Sequence, residues 1–106
     1  MITFDTWYDV PENFIGQCFI KCYETSFLIK KNKKIVSLNG KIKIYPNGAC
    51  WWFDYKDNLH RLDGPAIINS KKNRKEYWIN GMPYNKQDYW NHPLVLEYRI
   101  NKILEL

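Results

Sequence analysis

Several features that would assign this chain to a class are missing from its sequence. No apolar run approaches the ~18 residues of a membrane-spanning helix, so no membrane partner is expected. The N-terminal residues lack the basic and apolar segments of a signal peptide. The three cysteines are an odd number and accompany no export signal, which predicts reduced thiols and a cytoplasmic location.

Motifs of catalysis, cofactor binding and metal binding are missing as well. The sequence has no phosphate-binding glycine loop, no nucleophile elbow and no catalytic pair of carboxylates. Cys18 and Cys22 do not have the spacing of a zinc knuckle, and Cys18 and Cys50 occupy apolar positions of the strand pattern. We therefore expect a protein that is not an enzyme, with no catalytic residue, no cofactor and no metal site.

Aromatic side chains and positive charge are what the chain has in excess. Aromatic residues make up 17% of its 106 residues, and its formal net charge is +5. Many aromatics without long apolar runs suit half-buried β-strands rather than a disordered chain. The length fits a single domain that covers residues 1–106.

A repeat organises most of the chain. Gly16, Gly40 and Gly64 are spaced 24 residues apart, which indicates one small structural unit used several times. The residues two and four positions after each glycine are apolar, as on one face of a strand. A polar turn and a second, bulky strand follow each of these strands, the latter at residues 27–29, 51–53 and 77–79. The pattern predicts a mainly β fold, an antiparallel β-meander of about three hairpins across residues 16–84.

The two ends of the chain differ from the repeated rows. Residues 1–15 are expected to form a lead-in that reaches the first row through a turn. Asn85 is suited to cap a short helix over residues 87–91, which His92-Pro93 would end. Residues 94–106 fit either a strand or one helical face, and their content of good helix formers favours a helix. We therefore expect a short C-terminal helical cap over residues 85–106.

The segment His60-Arg61-Leu62-Asp63-Gly64-Pro65-Ala66 resembles the H-R-x-D-G-P-A repeat, which in its family alternates with W-Y-x-N-G segments. Trp52-Phe53 and Tyr77-Trp78-Ile79-Asn80-Gly81 are similar to two such segments, and residues 40–48 resemble MORN-type β-hairpin repeats. The resemblance covers roughly residues 10–90. Proteins that carry these repeats come from bacteriophages, large DNA viruses and bacteria. The resemblance implies a β-meander of phage or mobile-element origin, and it implies no catalytic residue.

The motif around Gly64 is interpreted as turn architecture. His60 near a carboxylate could act in acid–base chemistry, but a motif repeated in every unit is seldom catalytic. We expect Arg61 to pair with Asp63 and His60 to pack flat on a neighbouring tryptophan, while Gly64-Pro65 sets the start of the next strand. The residues given this structural role are Gly16, Gly40, His60, Arg61, Asp63, Gly64 and Pro65.

A set of aromatic residues is the first candidate for binding a partner. Successive strand residues point to opposite faces, so Trp51 and Trp52 cannot share a face, and neither can Tyr77 and Trp78. If one face forms the core, the other exposes aromatic rings, which marks an interaction surface. The candidate partner-binding residues are Trp51, Trp52, Tyr55, Tyr77 and Trp78.

Two basic clusters, at residues 30–34 and 71–75, are the second candidate. They either keep hairpin turns soluble or bind an anion. If residues 35–38 form a strand of their own, the clusters can lie at the same end of the sheet; in a strict two-strand repeat they lie at opposite ends. The candidate anion-binding residues are Lys33, Lys34, Lys71, Lys72, Arg74 and Lys75.

The sequence as a whole favours a non-enzymatic interaction module of phage or mobile-element type. It would bind a host protein through the exposed aromatics and inhibit a host function such as defence. The alternative is a protein that binds nucleic acid or a nucleotide through the basic turns and aromatic stacking. An open sheet with an aromatic face could also pair with a second copy, as a homodimer.

Overall fold

The computed structural model describes residues 1–36 and 40–105, which form two β-sheets followed by two α-helices. The nine strands of this part of the chain are β1 (Ile2–Phe4), β2 (Gly16–Ile20), β3 (Thr25–Lys30), β4 (Lys34–Val36), β5 (Lys41–Ile44), β6 (Cys50–Phe53), β7 (Ile67–Asn69), β8 (Arg74–Ile79) and β9 (Met82–Tyr84). The helices are α1 (Lys86–Trp90) and α2 (Pro93–Leu104). The strand order is β1-β2-β3-β4 in the first sheet and β5-β6-β7-β8-β9 in the second.

The strands are connected mainly by short turns whose residues suit the backbone there. Pro46-Asn47-Gly48 joins β5 to β6, and the Gly48 N–H donates a hydrogen bond of 2.9 Å to the Tyr45 carbonyl. Asn80 and Gly81 join β8 to β9 with φ values of +51° and +79°, a conformation that these two residue types tolerate well. Among the strands of the described residues, only β1 and β2 pair in parallel, and all the other pairs are antiparallel.

The main core forms where the first sheet covers the second. Side chains alternate along β3, so that Phe27 and Ile29 are buried while their neighbours are exposed. The rings of Phe27 and Trp52 stack across the two sheets with centroids 6.5 Å apart. The other buried members of this cluster are Val10, Cys18, Ile20, Tyr23, Cys50 and Ile68. Burial raises the pKa of the Cys18 and Cys50 thiols, so both stay protonated and behave as apolar core residues.

The C-terminal helices cover a second, smaller core. Asn85 caps α1 by accepting a hydrogen bond of 2.8 Å from the Asp88 N–H, and Pro93 occupies the first turn of α2. Ile79, Tyr89 and Val95 are buried together beneath the helices. The predicted helical cap is confirmed, with α1 starting one residue earlier than predicted and α2 continuing to Leu104. Within the described residues, no helix is both long enough and apolar enough to cross a bilayer.

The predicted mainly β fold is confirmed, but a single meander of three equivalent hairpins is not. The expected hairpins occur as the pairs β2–β3, β5–β6 and β7–β8. The first of them belongs to a separate sheet, extended by β4 and by β1, a strand that the sequence did not indicate in the lead-in. Folding one sheet over the other buries the apolar face that a single open meander would leave in water. Of the two alternatives for residues 35–38, the structure has the separate strand, which starts at Lys34 and is described to Val36; residues 37–39 and 106 lie outside the described part.

The glycines of the 24-residue spacing share an unusual backbone conformation. Gly16, Gly40 and Gly64 have φ values of +133°, +129° and +159°. A Cβ atom added to Gly40 would lie 1.9 Å from the Phe53 carbonyl oxygen, whereas one added to Gly16 would meet nothing within 4 Å. Gly40 is therefore required both by its φ and by the close approach of the neighbouring strand.

Substituting Gly40 and Gly16 separates these two requirements. Gly16→Ala should lose about 1–3 kcal/mol of unfolding free energy, the usual cost of a strained backbone. Gly40→Ala carries the same strain and also forces a methyl group into the backbone of Phe53, so we expect it to lose at least ~2 kcal/mol more. Urea unfolding followed by circular dichroism measures both. Equal losses in the two variants would contradict the close approach at Gly40.

Candidate functional site

The outer face of the second sheet, which points away from the main core, carries a group of aromatic rings. Trp51 lies between Tyr45 and Phe53, with ring centroids 5.1 Å and 6.2 Å from its own. Trp78 lies on the same face. The register of β6, β7 and β8 aligns Trp51 with Glu76, and Trp78 follows Glu76 by two residues, so its side chain points the same way. We call Tyr45, Trp51, Phe53 and Trp78, all half-buried, the outer aromatic face.

Charged side chains surround the outer aromatic face. The Lys43 ammonium lies 4.9 Å from the Tyr45 ring centroid, and the Arg74 guanidinium lies 6.0 Å from that of Trp51. Arg74 also pairs with Glu76, and this hydrogen bond lowers the pKa of the Glu76 carboxyl. Lys41, at the edge, pairs with Asp57 at 2.8 Å. Apolar rings at the centre are thus bordered by charges of both signs with an excess of cations.

The Trp51 indole is held by its ring contacts and not by a hydrogen bond. Its Nε1 is buried, and no acceptor for it exists among the described residues. A buried donor without an acceptor costs about 1–3 kcal/mol. Trp78 differs, because its Nε1 donates a hydrogen bond of 3.1 Å to Glu76. Of the two indole N–H groups on this face, only that of Trp51 therefore lacks a hydrogen-bond acceptor among the described residues.

The five predicted partner-binding aromatics do not form one surface. Trp51 and Trp78 lie on the outer aromatic face, but Trp52 is only 9% exposed in the main core. Tyr77 points to the opposite face from Trp78 and packs beneath α1, where its ring centroid lies 4.7 Å from that of Tyr89. Tyr55 is 71% exposed in the turn after β6. Alternation along β6 and β8 was predicted correctly, but it does not say which of two neighbouring rings is buried.

The sequence analysis did not include two members of this face, Tyr45 and Phe53, or Lys43 at its border. Phe53 follows Trp51 by two positions on the same strand, so the period of two could have placed it. Lys43 pairs directly with Trp51 in the β5–β6 register. That register depends on the length of the turn around Pro46, which was available in the sequence.

The H-R-L-D-G-P segment forms a turn around a buried guanidinium. Arg61 is only 8% exposed, and its Cζ lies 4.1 Å from the Trp52 ring centroid. Its Nε donates to Asp63 at 2.7 Å, as predicted, and its Nη1 donates to the Pro65 carbonyl at 3.0 Å. A Cβ on Gly64 would lie 3.1–3.3 Å from the guanidinium atoms, so the absence of a side chain there makes room for Arg61.

The prediction that His60 packs on a tryptophan is wrong, because Arg61 occupies the face of Trp52. His60 instead accepts a hydrogen bond of 3.0 Å from the Asn80 N–H through its Nδ1. The proton of the neutral ring is therefore on Nε2. Burial lowers the pKa of His60, and the nearby charge of Asp54 only partly opposes this effect. His60 is thus a neutral side chain that joins its turn to the β8–β9 turn.

The six predicted anion-binding residues lie in two separate places. Lys33 donates to the Trp7 carbonyl at 3.2 Å and sits over the Trp7 ring, so it helps to hold the N-terminal segment. Lys75 pairs with Glu24, just before β3, whereas the cluster at residues 30–34 follows the end of β3. Although β4 exists, the clusters therefore lie at opposite ends of β3. Arg74 is engaged by Glu76; within the described chain, Lys34, Lys71 and Lys72 form no ion pair.

Metal ligation has no support in residues 1–36 and 40–105. No group of three or more histidine, cysteine or acidic side chains there is arranged to hold an ion, and the three cysteines are free thiols.

Comparison with protein-family models, with curated proteins and with solved structures finds no match to this chain.

The depressed pKa of His60 predicts a pH dependence of stability. The unfolded chain takes up a proton at His60 as the pH falls through 6.5, the ordinary value, while the folded protein resists it. The free energy of unfolding should therefore fall as the pH drops below 6.5 and be constant in this respect above it. His60→Gln keeps an acceptor for Asn80 but does not titrate.

Urea unfolding of both proteins at pH 7.5 and pH 5.5 tests this prediction. We expect the wild type to lose more stability than His60→Gln over this interval. The comparison removes the contributions of all titratable groups that both proteins share. Parallel losses in the two proteins would show that His60 is not linked to folding.

Proposed function

We propose that this chain is a non-enzymatic interaction module that binds another protein through the outer aromatic face. The observation that carries the proposal is the half-exposed group of Tyr45, Trp51, Phe53 and Trp78 on one side of an open sheet. Aromatic residues at the centre of a patch and charged residues at its border are the usual anatomy of a protein interface. Tryptophan, tyrosine and arginine are also the residues that most often dominate binding energy.

The chemistry of the border favours an acidic partner. Lys43 contacts the Tyr45 ring and no carboxylate among the described residues, and the chain carries a net charge of +5. Such a field attracts an acidic surface and orients it during encounter. The resemblance to the H-R-x-D-G-P-A repeats supports the proposal that the module belongs to a phage or mobile element. In that setting the partner is a host protein, and binding would inhibit a host function such as defence.

We also propose that the three hairpins descend from one repeated unit. Their leading glycines share a positive φ, and each is followed by an antiparallel strand pair. In this view the first unit has become a separate sheet that covers the other two. The proposed interaction surface then belongs to the second unit and its neighbour, where β6 and β8 carry Trp51 and Trp78.

Nucleic acid or nucleotide binding is the second candidate function. Lys71 and Lys72 favour it, because both are exposed at a turn and neither forms an ion pair among the described residues. The separation of the two basic clusters disfavours it, since a nucleic-acid site needs a continuous basic surface. On the outer aromatic face, Lys41 and Arg74 are already paired with carboxylates. We therefore place protein binding first.

A pull-down from host lysate with matched variants tests the proposal. Trp51→Ala and Lys43→Glu should each abolish capture of an acidic protein, with a loss of at least ~2 kcal/mol for the tryptophan, as at an interface hot spot. Lys72→Glu, a charge reversal of the same size outside the face, should leave capture intact. Circular dichroism confirms that each variant is folded.

The same experiment distinguishes the other functions. Capture that disappears after nuclease treatment, falls steeply with salt and is lost with Lys72→Glu would support nucleic-acid binding and contradict the proposal. Sedimentation of the purified chain detects self-association. A homodimer that Trp51→Ala dissociates would show that the outer aromatic face binds a second copy and not a host protein.

A further inference from the structure

A cleft of about 550 Å³ opens between the two sheets and α2. It lies on the inner side of β6, where Trp52 is, and Phe53 is the one member of the outer aromatic face among the described residues that line it. Side chains of both sheets and of the helix line it, among them Phe27, Trp52, His60, Arg61, Tyr98 and Lys102. Its volume is within the range of about 300–1,000 Å³ that small-molecule sites occupy.

The feature that distinguishes this cleft is the incomplete pairing of Arg61. A guanidinium has five N–H donors. Here Nε is used by Asp63 and Nη1 by the Pro65 carbonyl, and no acceptor among the described residues is bonded to Nη2. The side chain is more than nine-tenths buried and lines the cleft, and Nη2 is not fully enclosed, so it keeps some contact with solvent. Unused donors of a buried guanidinium suit a carboxylate or phosphate oxygen.

Two further groups add donors near Arg61. His60 lines the cleft, and because its Nδ1 is occupied by Asn80, its Nε2 carries the hydrogen. Lys102 reaches the cleft from α2, with its ammonium 5.4 Å from the Tyr98 ring centroid and 3.4 Å from the Glu105 carboxylate, so an anion in the cleft would share this ammonium with Glu105. The carboxylate of Asp54, which also lines the cleft, is used by the backbone N–H groups of Lys56 and Asn58.

The remaining wall of the cleft is apolar and largely aromatic. Phe27 and Trp52 form its floor with stacked rings, and Ile42 and Leu62 contribute aliphatic surface. A ligand with a flat apolar body would exclude water from these side chains. An anionic group on that body would then lie beside Arg61. There, N–H donors of the protein would replace the water molecules that had solvated the anion.

We propose that this cleft binds a small organic anion, a flat apolar or aromatic body that carries a carboxylate or a phosphate. The anionic group accepts hydrogen bonds from Arg61 Nη2 and His60 Nε2, and Lys102 closes the mouth of the cleft over it. The donors proposed to hold the anion, on Arg61, His60 and Lys102, are not part of the outer aromatic face, and Phe53 is the one residue that lines both sites. The proposal therefore goes beyond the proposed function and does not depend on it.

Binding of matched probes tests the charge requirement. We would titrate the protein with 2-naphthoate and with its neutral analogue 2-naphthalenemethanol, and with adenosine monophosphate and adenosine. The indole N–H signals in ¹H–¹⁵N spectra report binding. At least one anion should saturate with an affinity at least about tenfold higher than that of its neutral analogue, as expected for a charge-assisted pair.

The two probe pairs also separate the two sources of the anion. Preference for naphthoate assigns a carboxylate, and preference for the nucleotide assigns a phosphate. Equal affinity for each anion and its neutral analogue, or shifts that do not saturate with any probe, would overturn the proposal.

Variants locate the binding site. Arg61→Lys keeps the charge but loses the planar fork, and we expect the anion to bind at least about tenfold more weakly. Lys102→Gln, in an exposed position of α2, should weaken the anion about threefold without affecting the neutral analogue. Lys43→Gln, on the outer aromatic face, is the matched control and should leave both affinities unchanged.

If Arg61→Lys does not fold, Lys102→Gln and His60→Gln test the proposal in its place. Unchanged anion affinity in both of these variants would overturn it. Trp51→Ala should retain the probe while losing the protein partner. Failure of the cleft proposal and failure of the proposed function are therefore distinguishable.

Discussion

The burial of Arg61 is the constraint on which much of this fold depends. Removing a guanidinium from water costs several kcal/mol unless its charge and donors find partners. The Trp52 ring, the Asp63 carboxylate and the Pro65 carbonyl provide those partners, and Gly64 leaves the space for them. The segment from Arg61 to Pro65 must therefore turn tightly around one side chain, which fixes where β7 begins.

The C-terminal helices are attached to the same turn. The Tyr89 hydroxyl donates a hydrogen bond of 2.6 Å to the Arg61 carbonyl and accepts one of 3.1 Å from the Gly64 N–H. Burial raises the pKa of Tyr89 to about 12, so the hydroxyl remains a donor at neutral pH. The main core reaches this turn through Trp52, and the smaller core reaches it through Tyr89. One turn thus contacts both cores.

The strands, the tight turns and the helix caps could be predicted because their signals are local. The glycine spacing placed the hairpins, and Asn85 indicated the start of α1. The arrangement of the sheets could not be predicted in the same way. A three-residue parallel strand such as β1 has no local signature, and contacts such as Lys75 with Glu24 join residues far apart in the chain.

Only part of the candidate site could be predicted from the sequence. The alternation of Trp51 and Trp52 showed that one ring faces outward, but the choice between them depends on which face the first sheet covers. His60 belongs to the turn, as predicted, but it does not pack on a tryptophan. The longer side chain of Arg61 covers the Trp52 ring instead. The signal of Tyr89 lay outside the motif, in a helix whose packing no local pattern specifies.

The order of the strands has a consequence for how the chain is made. In the described residues, each strand pairs only with strands that are adjacent to it in the sequence. Apart from the longer connections at residues 5–15 and 54–66, the loops between paired strands are short, and little entropy is lost in closing them. Each hairpin can therefore form as soon as it leaves the ribosome. The first sheet is then complete while its covering partner is still being synthesised, and Phe27 and Ile29 stay in contact with water until the chain has been extended past Ile68.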